Sequence, residues 1–290
     1  MRRSMLFMPG NNAGMLLNAD ILGADAVILD LEDAVSPAEK DAARILVRNA
    51  IQTLHYQCQV CVRINSIDTE FWKKDLEEIL PLQPDLIMPP KISSAQDVLT
   101  VDAYMTELEQ KLGLEAGKVK LIPLIETALG VENAFANAGS CTRVTAMLLG
   151  GEDLTSDLQC KRTKEGQEIF YSRSRIVVAA RAAGVDCYDT PFTDVNDDEG
   201  LRKDAAFAKA LGFTGKSAIS PRHVADINAA FSPTMADIEY AEEVMETIRL
   251  AKEQGKGVVS LRGKMIDAPI VTRARQVLEM AEAMGVRTHE

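Results

Sequence analysis

Short apolar runs alternate with longer helical patterns along the chain, and the runs fall at residues 4–8, 26–31, 60–65, 86–89, 119–125, 144–149, 185–189 and 216–220. Most are near-continuous stretches of aliphatic residues, the pattern of strands buried on both faces in a parallel sheet. The intervening segments carry helix signals. Ser36-Pro37-Ala38-Glu39 predicts an N-cap, a proline at the first helical position and a reciprocal glutamate. Ser93 with Gln96 repeats the capping-box pattern, and Val98, Val101, Met105, Leu108 and Leu112 follow at helical spacing, closed by Gly113. Eight strand–helix units with right-handed crossovers predict an α/β fold, a (β/α)8 TIM barrel spanning residues 1–230. An open doubly wound sheet would normally carry a glycine-rich nucleotide turn after its first strand. Here that turn is Pro9-Gly10-Asn11-Asn12.

Residues 231–290 exceed what a barrel needs. Ile238, Ala241, Met245 and Ile248 mark a long helix, followed by Gly255 and Gly257, a short run at 258–261, a polar segment at 262–269 and a final helix. This predicts a C-terminal helical extension with a lid turn, an oligomer contact, or both. Within it, Asp267 is either the N-cap of the last helix, with Pro269 early in that helix, or a working residue on the lid.

Composition narrows the function classes. The chain is 47% hydrophobic with 5% aromatic residues, which suits an aliphatic core. No run approaches the roughly 18 to 20 apolar residues of a membrane helix, and the apolar stretch in MRRSMLFMPG is too short for a signal peptide, so the expected location is the cytoplasm. A net charge of −11 without a basic run speaks against nucleic acid. The local cluster Lys161-Arg162-Lys164 is either solvated surface charge or a contact for a phosphate or an acidic partner. Five cysteines argue against a disulfide framework. Cys58 and Cys61 form a CxxC, but they flank a strand on which positions three apart face opposite ways, so structural thiols are expected.

Barrel enzymes place their chemistry at the C-terminal ends of strands. Here those ends read Asp30-Leu31-Glu32-Asp33, Arg63-Ile64-Asn65, Lys91, Glu126, Gly150-Gly151-Glu152-Asp153 and Asp189. Such charges are costly to bury unless paired or bound. They are either rim charges paired with one another or a site. His55, His223 and His289 all lie elsewhere, so a metal here would be held by oxygen, as Mg²⁺ or Mn²⁺ are, with Glu126 and Asp153 on adjacent strand ends as its ligands. HExxH and GxSxG are absent. A Schiff-base lysine could be Lys91 or Lys216 by position, but the carboxylates beside Lys91 would keep its pKa high.

The motifs RRSMLFMPG, VILDLEDAV, VRIN, PK, IETALGV, LLGGEDL, GKSAISPR and GKMIDAP, in that order from Arg3 to about Arg275, resemble the citrate lyase β-subunit family. That wider group of metal-dependent carbon–carbon lyases includes the malyl-CoA and citramalyl-CoA lyases. The resemblance implies a TIM barrel, commonly trimeric, with Mg²⁺ on Glu126 and Asp153 and with Arg63 on the carboxylate and carbonyl oxygens of a keto acid. It implies that Asp267 serves as acid/base in a neighbouring subunit's site. Gly151 and Glu152 join the expected substrate-binding set, and Asp30, Glu32, Lys91, Asn65 and Arg3 are expected in support.

Two activities follow. The first is a citrate lyase β-subunit, cleaving a citryl thioester on acyl carrier protein to oxaloacetate and an acetyl thioester beside α and γ (acyl-carrier) subunits. The second is a stand-alone lyase for malyl-CoA, β-methylmalyl-CoA or citramalyl-CoA. The likeness of VILDLEDAV, SAQDV, the EG at 165–166 and VVSLRGKMIDAPIV favours the first. A retained barrel acting as a scaffold is the non-enzymatic alternative, against which the complete acid–metal–arginine set stands.

Overall fold

The structure is a computed structural model that describes residues 2–253 and 259–286. Two compact units divide it, Arg2–Phe231 and Ser232–Glu290. Among the described residues, no helix is long and apolar enough to cross a membrane.

The first unit is an α/β fold built on one parallel sheet. Its strands are β1 (Ser4–Pro9), β2 (Ala26–Asp30), β3 (Gln59–Arg63), β4 (Leu86–Met88), β5 (Lys120–Leu121), β6 (Leu124–Ile125), β7 (Ala146–Leu149), β8 (Asp186–Asp189) and β9 (Gly215–Ala218). They pair in the order β5-β4-β3-β2-β1-β9-β8-β7-β6. The run expected at 119–125 is therefore two short strands, broken at Ile122-Pro123, where proline has no N–H to give the ladder. On one side Ile122 and Leu124 donate to the carbonyls of Ile87 and Pro89 at 3.0 Å. On the other, Leu121 donates to Arg143 O at 2.8 Å and Leu148 to Pro123 O at 3.1 Å.

Alternate residues of each strand divide between two cores. Met5, Ala26, Ile28, Cys61, Leu86, Met88, Leu124, Ala146, Leu148 and Tyr188 form one cluster. Leu124 of β6 and Leu86 of β4 meet in it although the strand order sets them far apart, so the sheet is curled. Leu6, Val27, Leu29, Val62, Ile87 and Leu149 belong to the second cluster, with residues of the surrounding helices. Burial on both faces is why the runs read as continuous. Cys61 lies in the first cluster and Cys58 packs against the second, so the CxxC thiols face opposite ways.

Helix starts differ slightly from expectation. Ser94, not Ser93, caps helix Ala95–Leu112, and its N3 partner is Asp97. The Asp97 carboxylate accepts from the backbone N–H of both Ser93 and Ser94, which a glutamine at 96 cannot do from its position. At Ser36, residues Pro37–Glu39 form a 3-10 turn, and the Ser36 hydroxyl meets the Glu39 carboxylate rather than a backbone N–H.

The second unit holds helix Met235–Glu253, an antiparallel hairpin of β10 (Val259–Leu261) and β11 (Lys264–Ile266), and helix Ala268–Ala283. Ile238, Ala241, Val244, Ile266, Ala274, Leu278 and Ala281 form its core. The polar segment expected as a loose lid turn is thus partly a strand. Arg262 and Gly263 both have positive φ, 50° and 78°, as a two-residue hairpin turn requires. Asp267 caps the last helix, accepting from Ile270 N–H at 3.1 Å, and its side chain is exposed. Gly255, Gly257, Val258 and His289 lie outside the described residues.

Candidate active site

Strand parity decides which chain ends share a cavity. On a strand, residues two apart face the same way. Phe7 follows Met5, Asp30 follows Ile28, Arg63 follows Cys61, Glu126 follows Leu124 and Gly150 follows Leu148, so each extends the first core's face past its last apolar residue. They meet in one cavity of about 320 Å³, which Gly151, Glu152, Asp153 and Thr190 also line.

Arg63 is the centre of its charge. Nε and Nη2 donate to the two Asp30 oxygens at 2.7 and 2.5 Å, and Nη1 stands 3.0 Å from Glu32 Oε2. Its guanidinium carbon lies 5.0 Å from the centre of the Phe7 ring. Burial alone would lower the Arg63 pKa, but the Asp30 bonds and the charges of Asp30, Glu32 and Glu126 raise it, so it stays cationic. Lys91 sits at φ 55° after β4. Its ammonium is 2.7 Å from Glu32, 3.5 Å from Asp33 and 3.5 Å from Asp153. Burial opposes its charge, yet these carboxylates raise its pKa, which removes Lys91 as a neutral nucleophile.

Glu126 is the unusual group. Only 4% exposed, its Oε1 accepts the Lys91 backbone N–H at 2.8 Å. Burial, then the charges of Glu32 and Asp153, push its pKa up to about 8, against the pull of Arg63. The second oxygen lies where Gly150 leaves room, since a Cβ at Gly150 would come within 2.6 Å of it. Burial likewise raises Glu32, though Arg63 and Lys91 oppose the shift. Carboxylates crowded this way in a low-dielectric pocket favour a cation. Asp153, with a 39% exposed side chain, lies in the first turn of the helix Gly151–Asp157. The Gly151 N–H donates to Thr190 Oγ1 at 2.9 Å, which ties that helix to the end of β8.

Four residues stand elsewhere than the sequence suggested. Arg3 lies at the start of β1, at the far end of that strand from Phe7, and clamps Asp25 through bonds of 2.7 to 2.8 Å. Asn65 is buried against Asp75, which accepts from its backbone and its side chain at 2.9 and 2.7 Å. β3 has ended at Arg63, so the alternation that would have aimed Asn65 into the cavity no longer holds. Asp189 is out of parity with Tyr188 and faces the helices, where Arg173 donates to both its oxygens at 2.9 Å. Lys216 is wholly buried and bridges Asp189 and Asp204, 2.6 Å from each, so it is a charge partner and no free amine. Phe7 and Thr190 were not anticipated. Phe7 had a signal in its parity with Met5. Thr190 had none beyond following a strand end.

Known proteins resemble this chain over most of its length. The HpcH/HpaI aldolase/citrate lyase family matches residues 3–221. The citrate lyase subunit beta of Haemophilus influenzae is 45% identical over 99% of each chain. The mitochondrial citramalyl-CoA lyase of Mus musculus is 31% identical over 98% of this chain and 87% of its own. Among solved structures, the CitE protein of Mycobacterium tuberculosis in complex with magnesium, acetoacetate and coenzyme A is similar at a TM-score of 0.78 and 29% identity, over 97% of this chain and 98% of that one. Matched by that family model over residues 3–221 and 45% identical along nearly its whole length to one of its lyase subunits, this chain belongs to the HpcH/HpaI aldolase/citrate lyase family.

Proposed function

We propose that the chain is the β-subunit of a citrate lyase, a Mg²⁺-dependent enzyme that cleaves a citryl thioester on acyl carrier protein into oxaloacetate and an acetyl thioester. The observation that carries this reading is the 45% identity to a citrate lyase subunit beta over 99% of both chains. Four further points belong to it: a closed (β/α)8 barrel, supported by the bonds that 120–125 makes on both sides; a homotrimer; α and γ partner subunits; and a cytoplasmic site.

The donor set fits the ion. Glu126 and Asp153 offer hard oxygens, and among the described residues no histidine or cysteine lines the cavity. Glu126 and Asp153 would hold the ion; among the described residues no three acidic, histidine or cysteine side chains form a metal cage. Bound there, Mg²⁺ supplies Lewis-acid polarisation of the hydroxyl that becomes the ketone.

The chain's own residues do the rest. Arg63, held in place by Asp30 and Glu32, presents its remaining N–H groups to the keto acid's carboxylate and developing carbonyl oxygen, in a fork that lysine cannot copy. Lys91 holds Glu32, and through its backbone Glu126, in place. As the carbon–carbon bond breaks, the carbinol oxygen gives up its proton and becomes the ketone, while the bond's electron pair passes to the α-carbon of the thioester, which must then take a proton. Asp267, acting from a neighbouring subunit, is the proposed acid/base that accepts the first proton and delivers one to that carbon.

The competing reading, a lyase for malyl- or citramalyl-CoA, draws on the citramalyl-CoA lyase at 31% identity. A panel of citryl, malyl and citramalyl thioesters, on CoA and on carrier protein, separates them. Oxaloacetate from the citryl substrates supports the first. Pyruvate or glyoxylate, with no oxaloacetate, replaces it by the second.

A further inference from the structure

Asp153 and Glu126 stand on separate segments of the chain, so an ion shared between them depends on how those segments are held together. Among the described residues the Asp153 carboxylate has one charged partner, the Lys91 ammonium 3.5 Å away. Its placement therefore rests on its backbone, the helix Gly151–Asp157. That helix has only seven residues, too few to hold its form and place without outside ties.

Two hydrogen bonds tie it, one at each end. At the start, Gly150 in the cap position has no side chain to offer, and the Gly151 N–H is taken instead by Thr190 Oγ1 at 2.9 Å. At the finish, the Asp157 carboxylate accepts from the Ala128 N–H at 2.7 Å, just past Glu126 in the chain. The helix thus spans from the end of β8 to the segment that carries the other ligand. Glycine lets its start sit this close: a Cβ on Gly151 would lie 2.7 Å from Thr190 Oγ1, and one on Gly150 would lie 2.6 Å from Glu126 Oε2.

Thr190 is itself firmly anchored. It is 1% exposed, and its carbonyl accepts from Lys216 Nζ at 2.6 Å. The carbonyl before it, of Asp189, accepts from Ser217 Oγ at 2.8 Å. Two residues of β9 thus fix the backbone at Thr190, and Lys216 is locked in turn between Asp189 and Asp204. On the metal-dependent reading given above, we propose that Thr190 is a positioning residue for the metal site. Its hydroxyl oxygen sets the helix of Asp153 at the spacing from Glu126 that one Mg²⁺ needs.

Thr190→Val keeps the side-chain shape and removes the acceptor, whereas Thr190→Ser keeps the acceptor. Calorimetric titration of Mg²⁺ into the metal-free chain, with Tm measured alongside, separates the outcomes. The Mg²⁺ Kd should rise at least about tenfold in Thr190→Val and stay within about threefold of wild type in Thr190→Ser. Thr190→Ala should match the valine variant, and it carries the test if valine prevents folding. A lowered Tm with an unchanged Kd, or an equal loss of affinity in the serine and valine variants, would make Thr190 a packing residue and overturn the proposal. A wild-type chain that binds no Mg²⁺ refutes the metal site and the role of Thr190 with it. Wild-type binding that Thr190→Val leaves unchanged refutes the role of Thr190 alone.

Discussion

Asp30 and Arg63 are opposite partners in the parallel register of β2 and β3, and their side chains repeat the pairing through two hydrogen bonds of 2.7 and 2.5 Å. The backbone ladder thus fixes the plane of the guanidinium that faces the cavity. Arg63→Lys keeps the charge and loses the fork. Turnover should fall by at least on the order of 10²-fold with the fold intact by circular dichroism. A loss below about threefold would reduce Arg63 to a rim partner of Asp30.

The raised Glu126 pKa, about 8, has two consequences. Mg²⁺ binds the carboxylate form, so calorimetry should show affinity rising with pH up to about 8, with proton release, and a flat and weak profile in Glu126→Gln. For the metal-free chain the folded state holds this proton more tightly than the unfolded one. From the ordinary value of 4.5 up to about 8 the native state binds more protons, so stability falls as pH rises through that window. Glu126→Gln should flatten that slope in urea titrations, and an unchanged slope would assign it to another group.

Behind the cavity, Arg173, Asp189, Asp204 and Lys216 form a wholly or nearly buried charge cluster. Lys216→Met removes one cation and leaves Asp189 and Asp204 undercompensated. Urea denaturation should show a loss of about 3 to 5 kcal/mol. A loss under about 1 kcal/mol would mean the cluster relaxes or takes up a proton.

The strands were legible because both of their faces are buried, which leaves an unmistakable aliphatic run. Parity with the last core residue was also readable: it assigns Asp30, Arg63 and Glu126 to one face and Asp189 to the other. Position at a strand end alone cannot make that distinction, which is why Asp189 was expected at the mouth. Asn65 failed for a related reason, since the strand stops before it. Arg3 was grouped with the site by motif, while its partner Asp25 sits at the opposite strand end. Arg162, in the loop after helix Gly151–Asp157, is buried because Thr163 and Glu168 fold back on its guanidinium, a loop geometry that periodicity does not encode.

Asp267 caps the last helix, and a cap does not preclude a role at a neighbour's site. Asp267→Asn and Arg63→Ala should each be inactive alone and regain part of the activity when mixed and reassembled, because some mixed sites would join an intact Arg63 to an intact Asp267. No recovery, with subunit exchange verified by mass, would confine Asp267 to capping.

Mg²⁺-dependent release of oxaloacetate from a citryl thioester tests the central claim most directly. The account predicts that the purified chain releases it with Mg²⁺, stops in excess chelator, and loses the activity in both Glu126→Gln and Asp153→Asn while their folds persist. Full activity in chelator, or in either variant at low Mg²⁺, would contradict it.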